Sequence, residues 1–281
     1  MQPTDGLRAV ISRYNTLLVD VYGVLHDGGN IFPHAAEALR EAKRHGVKVI
    51  VLTNSTLRAG AVAERLAEGG LGPECFDHVV SSGELTWRHL DAAAGSRPPS
   101  LRLLEGGPWP AWVSALRNPI VDHARDADAV VAIRVLFLDD AGYARTGIGE
   151  ELAAAKGKGL PMIVADSDET FPYHGSIRLG PGWLARRYRE IGGETIEFGK
   201  PHAPVYREAM RLAGDPDPAS VLMVGDNLLT DIAGARAAGM DSLLVVRHGV
   251  HGDLSLDEIE RRGRSLGTVP TWVIPCLCWA V

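Results

Sequence analysis

The stretch TLLVDVYGVL, residues 16–25, decides the fold. Its first part, Thr16–Val21, is a short apolar run of the kind that forms a buried strand. Asp20 breaks that run where a strand of a parallel sheet would end. Downstream, Pro33–His45 carries Ala35, Ala38, Leu39 and Ala42 at helical spacing, and Gly46 stops the helix. Val47–Thr53 (VKVIVLT) predicts the next strand. Leu57–Glu68 predicts the next helix, closed by Gly69-Gly70. The same pattern returns late in the chain, with a strand over Ser220–Gly225, a helix over Thr230–Ala238 and a strand over Ser242–Val246. Alternating strands and helices imply an α/β fold, a parallel sheet with helices on both faces.

The character changes between these blocks. Residues 97–110 hold Pro98, Pro99, Pro108 and Pro110 together with Gly106-Gly107, which is loop composition. Beyond them, Ala127–Leu138 and Pro161–Ala165 read as strands and Gly149–Lys158 as a helix. The expected organisation is therefore a core of residues 1–81 plus 194–281, interrupted by a second α/β unit over 82–193. Ser82-Gly83-Glu84 lies at the first crossing and is a candidate hinge.

Composition narrows the classes. The net charge of −6, without a long basic run, argues against nucleic acid as a partner and against an anionic membrane surface. No stretch reaches the roughly 18 uncharged apolar residues of a membrane helix. The N-terminal residues carry Asp5, Arg8 and Arg13 and lack a signal-peptide apolar region. A soluble, cytoplasmic protein is expected. The three cysteines are too few for a disulfide framework, and Cys276-x-Cys278 has the alternate spacing of strand packing.

Open parallel sheets bind ligands beyond the carboxyl ends of their strands. The residues there are Asp20-Val21-Tyr22-Gly23 after the first run and Thr53-Asn54-Ser55 after the second. Gly225-Asp226-Asn227 with Thr230-Asp231 follows a later run, and Gly199-Lys200-Pro201 precedes a helix near Ala203. Carboxylates serve as nucleophiles in aspartyl-phosphate chemistry. Mg²⁺ takes oxygen ligands, usually one or two carboxylates with phosphate and water. Asp20 and Asp226 suit that role, Asp231 could orient ligand waters, Thr53 and Asn54 could donate to phosphate, and Lys200 could neutralise developing charge.

These segments, in this order, resemble the four motifs of the haloacid dehalogenase superfamily, whose core is a Rossmann-like parallel sheet. The resemblance implies that Asp20 is the nucleophile and a Mg²⁺ ligand, with the Tyr22 carbonyl, Asp226 and Asp231 completing the metal set. It implies that Thr53, Asn54 and Ser55 form the phosphate loop and that Lys200 is the catalytic lysine. The insertion resembles the α/β cap of class IIA, the group of 4-nitrophenyl phosphatase-like and sugar phosphatase-like enzymes. A Mg²⁺-dependent phosphatase for small phosphorylated metabolites is the implied activity. Caps of this group often pair, which makes a homodimer one implied arrangement.

The sequence departs from the family pattern at Tyr22, where most phosphatases of the family have a second Asp for acid–base work. A phenol with an ordinary pKa near 10 replaces a carboxyl poorly. His26 and Asp27 are nearby in sequence. The Asp-x-Tyr-Gly pattern also resembles metal-independent 2-haloacid dehalogenases, although those lack the acid matching Asp226. A phosphate-metabolite binding protein with weakened turnover is the third reading. In the cap, Asp166, Asp168, His174 and Arg178 are candidate substrate contacts, while Trp109 and Trp112 are expected to pack internally.

Overall fold

The computed structural model describes residues 1–104, 109–134, 137–173 and 176–280. The chain divides into two compact units. One comprises Met1–Thr53, Ala59–Val80 and Lys200–Val281; the other comprises Asn54–Arg58 and Ser81–Gly199.

The first unit is built on a seven-stranded sheet. Its order is Gln2–Pro3, Trp272–Ile274, Asp241–Val245, Val221–Gly225, Thr16–Val19, Lys48–Thr53 and His78–Ser81. The pairings that join Gln2–Pro3 through to Lys48–Thr53 are all parallel. Thr16–Val19 and Val221–Gly225 are buried along their whole length. That is why they read as continuous apolar runs instead of alternating ones. From Thr16–Val19 the chain moves outward one way, through Lys48–Thr53. From Val221–Gly225 it moves the other way, through Asp241–Val245 and Trp272–Ile274. The crevice between those two central strands is a topological switch point.

The helix Pro33–Arg44 opens on its proline and buries Ala35, Ala36, Ala38, Leu39 and Ala42. Proline is tolerated there because the first helical N–H has no partner to lose. Lys43 and Arg44 in its last turn complement the helix dipole. Gly46 then takes φ +79°, a conformation that glycine adopts without steric cost. The helix Leu256–Leu266 is held by a reciprocal capping box between Ser255 and Glu258.

The second unit has its own parallel sheet, ordered Thr195–Glu197, Met162–Val164, Ala129–Ala132 and Leu101–Leu104. Both faces are covered. Val130 and Ala132 join a cluster with Leu152, Trp183, Leu184 and Tyr188, while Val131 joins Leu90, Leu101, Leu103 and Trp112. Alternate residues of one strand thus feed two separate clusters. An antiparallel hairpin of Thr170–Tyr173 and Ser176–Leu179 is added to this unit.

Several expected boundaries move. Thr195–Glu197 pairs with Met162–Val164, so the chain returns to the first unit at Lys200 and not at 194. Of the strand expected over residues 127–138, the described residues form Ala129–Ala132. The helix expected from Leu57 starts at Ala59, because the preceding segment is bound elsewhere. Trp112 Nε1 donates to the Thr56 carbonyl at 2.8 Å and Gly83 N to that of Ser55 at 3.0 Å. Ser81 Oγ donates to the Leu57 carbonyl at 2.6 Å. Arg58 pairs with Glu84 and stacks 3.4 Å over the Trp87 ring. Ser82-Gly83-Glu84 opens the helix Ser82–Ala93, N-capped by Ser81. Trp112 is buried and Trp109 packs against the same cluster, as expected. Cys276 and Cys278 lie beyond the last strand, not on it; both are free thiols.

Candidate active site

In the first unit, the parallel register sets the site. Val19 pairs with both Val51 and Val224, and Asp20 N donates to the Val224 carbonyl at 2.9 Å. Asp20 therefore emerges level with Gly225, directly before Asp226, and Thr53 ends the neighbouring strand. All of these residues are buried.

Lys200 is the centre of the arrangement. Its ammonium lies 2.6 Å from Asp20 Oδ1 and 2.7 Å from Asp231 Oδ1. The other oxygen of Asp231 accepts from the backbone N–H groups of Asp226 and Asn227, each at 3.1 Å. Asp226 Oδ2 accepts from Val250 N at 2.9 Å. One oxygen from each of Asp20, Asp226 and Asp231 falls within 4.8 Å of the others. The Lys200-Pro201 peptide is cis.

Glycines make room for this packing. A Cβ on Gly23 would come 2.5 Å from Asp226 Oδ2, and Gly23 also holds φ +75°. A Cβ on Gly225 would meet the Asp231 side chain at 2.1 Å. Beneath the site, Tyr206 Oη is 3.1 Å from the Thr230 carbonyl and 3.3 Å from that of Asp231. It can donate its single hydrogen to either. The expected helix over 230–238 begins earlier, as a π-helical turn over Leu228–Ile232 followed by an α-helix over Ala233–Ala237. Asn227 caps it by accepting from Leu229 N at 2.9 Å.

The electrostatics follow from burial. Three carboxylates share a water-poor site with one lysine. Burial, then the charges of Asp20 and Asp231, push Asp226 well above the usual carboxylate range. Burial also lifts Asp231 to about 6, against the opposing pull of Lys200. Tyr22 is partly exposed, and its ring meets His26 edge-on at 5.9 Å. Burial, Asp27 and Asp226 raise its pKa further.

The remaining candidates lie in the second unit. Asn54 Nδ2 donates to Asp168 Oδ1 at 3.0 Å, and Asp168 N donates to Asp166 Oδ1 at 2.9 Å. Ser55 Oγ accepts from Leu57 N at 3.3 Å. Arg178 stands on the hairpin opposite Phe171. His174 lies outside the described residues. Sequence reasoning missed Tyr206 and His251, neither of which sits in a motif.

His251 is buried, and its Nε2 accepts from Leu228 N at 3.3 Å. Burial, with Arg262 adding to it, lowers its pKa below the ordinary 6.5. Below that pH the unfolded chain takes up a proton that the folded chain resists. The stabilisation is thus complete above about pH 6.5 and is lost as pH falls toward the folded-state value. His251→Gln keeps an acceptor without the titration. Its Tm should fall less steeply than that of the wild type between roughly pH 6.5 and 5. Equal slopes would assign the acid sensitivity to other groups.

The first unit is thus an α/β core whose parallel sheet gathers a buried carboxylate–lysine cluster at its switch point. Family models match on both sides of the insertion: residues 17–101 fit the haloacid dehalogenase-like hydrolase family and residues 197–272 the HAD-hydrolase-like family. The chain belongs to the haloacid dehalogenase superfamily and is one of its hydrolases. It is 26% identical to the 5′-nucleotidase YutF of Bacillus subtilis, over 92% of this chain and 98% of that one. It is 28% identical to the D-glycerol 3-phosphate phosphatase of Mycobacterium tuberculosis, over 85% of this chain and 65% of the relative. Among solved structures, a haloacid dehalogenase-like hydrolase from Brucella suis superposes with a TM-score of 0.80 at 27% identity, covering 98% and 99% of the two chains. Among the described residues, no helix is long and apolar enough to cross a membrane.

Proposed function

We propose that the chain is a phosphatase that cleaves small phosphate monoesters through an aspartyl-phosphate at Asp20. The observation that carries this reading is the Lys200 ammonium held between Asp20 and Asp231, with Asp226 in the same buried cluster. An Asp20 oxygen attacks phosphorus, and the ester P–O bond breaks with the electron pair leaving on the alcohol oxygen. That oxygen takes up a proton. Water then attacks phosphorus and gives up a proton; the bond to Asp20 breaks, and inorganic phosphate leaves. Lys200 offsets charge on the phosphoryl oxygens while orienting Asp20, and the Thr53 hydroxyl is a donor to the same oxygens.

The cluster fits a hard divalent cation. Its donors are all oxygens, and a single lysine leaves it net negative in a site where the anionic form of Asp226 is disfavoured. Asp20, Asp226 and the Tyr22 carbonyl would hold Mg²⁺. Both oxygens of Asp231 are engaged, so it would brace Lys200 and the Asp226–Asn227 backbone. When bound, Mg²⁺ supplies charge neutralisation at the phosphoryl group. Asp226 weighs against the metal-independent dehalogenase reading, because without a cation its carboxyl either repels Asp20 or stays protonated and has no work there. The relatives' names, a 5′-nucleotidase and a glycerol phosphate phosphatase, support a small phosphorylated metabolite as substrate.

Phosphate release should be followed across a panel of nucleotides, sugar phosphates and glycerol phosphates, with Mg²⁺ and with a chelator. Release that needs the cation is expected. Turnover that survives chelation, or its absence with every ester, would sink the proposal.

A further inference from the structure

We infer that Asp168 is a positioning residue that acts through Asn54, and that the Asn54 side chain is turned toward this carboxylate and does not serve as a direct phosphate ligand. The inference rests on the phosphatase reading above. Asn54 directly follows Thr53, so its orientation bears on the residue beside it in the chain. Its side chain is almost fully buried. A carboxylate only accepts hydrogen bonds, so the 3.0 Å contact fixes the amide with Nδ2 toward Asp168 Oδ1. The amide oxygen then faces Gly199, where a Cβ would come 2.7 Å from Asn54 Oδ1 and 3.0 Å from Ser167 Oγ.

The turn that carries Asp168 is itself tightly built. Its N–H donates to Asp166 Oδ1, and its carbonyl accepts from Gly182 N at 3.1 Å. A Cβ on Gly180 would lie 2.2 Å from the Asp168 carbonyl oxygen, and one on Gly182 would lie 2.1 Å from that of Ser167. The Asp168 carboxylate is therefore presented from a backbone with little freedom to relax. The segment that holds Asn54 is anchored as firmly, through Thr56, Leu57 and Arg58. Both backbones are held where this charge-assisted hydrogen bond forms, so exchanging its two ends should preserve it.

The test is that exchange. Asn54→Asp alone sets two carboxylates against each other and should lower kcat/KM by about 100-fold. Asp168→Asn alone retains an acceptor and should cost only a few-fold. The double variant Asn54→Asp/Asp168→Asn restores one donor facing one carboxylate, and kcat/KM should return to within about ten-fold of wild type. A direct phosphate ligand behaves differently, because a carboxylate at position 54 repels phosphate whatever stands at 168. A folded double variant as slow as Asn54→Asp therefore overturns the inference. Should Asn54→Asp not fold, the double variant decides alone, by folding and turning over or by folding and remaining slow. Melting temperatures across the four proteins read the same coupling without substrate. A wild type that releases no phosphate would sink the phosphatase reading, while non-additive melting would still support the pair and additive melting would reject it.

Discussion

Asp20→Asn will abolish phosphate release and leave the protein folded. The loss should be at least about 10⁴-fold in kcat, because a nucleophile and its partners act as a unit. The amide carbonyl of the variant can still accept from Lys200, so the packing around Lys200 survives. One like charge leaves a cluster in which Asp226 already resists ionisation. Melting in chelator should thus show an unchanged or raised Tm for the variant. Rapid phosphate assays and thermal melting of the same preparation read both halves. Turnover that persists in Asp20→Asn would place the nucleophile elsewhere and end the aspartyl-phosphate reading.

The second large effect is a gain. Tyr22→Asp installs a carboxyl where the site has a phenol whose pKa is raised by burial and by Asp27 and Asp226. Acid–base assistance is typically worth about 10²–10⁴-fold, so alkyl phosphates should be hydrolysed faster by a factor in that range. A nitrophenyl ester should gain much less, because nitrophenolate departs without protonation. The two gains must therefore differ. Equal gains on both esters would mean that Asp acts by something other than proton transfer. No gain on either would mean that the wild-type site already has its acid.

Much of this was legible in the sequence, and the reason is local. Asp20, Thr53 and Asp226 each follow or end a continuous apolar run, and parallel strands bring such ends to one edge of the sheet. Lys200 was legible by order within the motifs, although no pattern announced that it would span Asp20 and Asp231. Tyr206 and His251 were not legible. Each acts through one hydrogen bond to the backbone near Leu228–Asp231, and a single long-range contact leaves no periodic trace. The second boundary was misplaced for a similar reason. The short strand Thr195–Glu197 is assigned by what it pairs with, and its own residues do not say which sheet that is.

The anchoring of residues 54–58 has a practical meaning for anyone moving this second unit between proteins. A transplant cut at residue 82 would strip Trp112, Glu84 and Trp87 of Thr56 and Arg58, and would leave the recipient's own linker to meet them. The exchangeable cassette is discontinuous: a five-residue ribbon over 54–58 must travel with residues 81–199 for the graft to arrive with its joints intact.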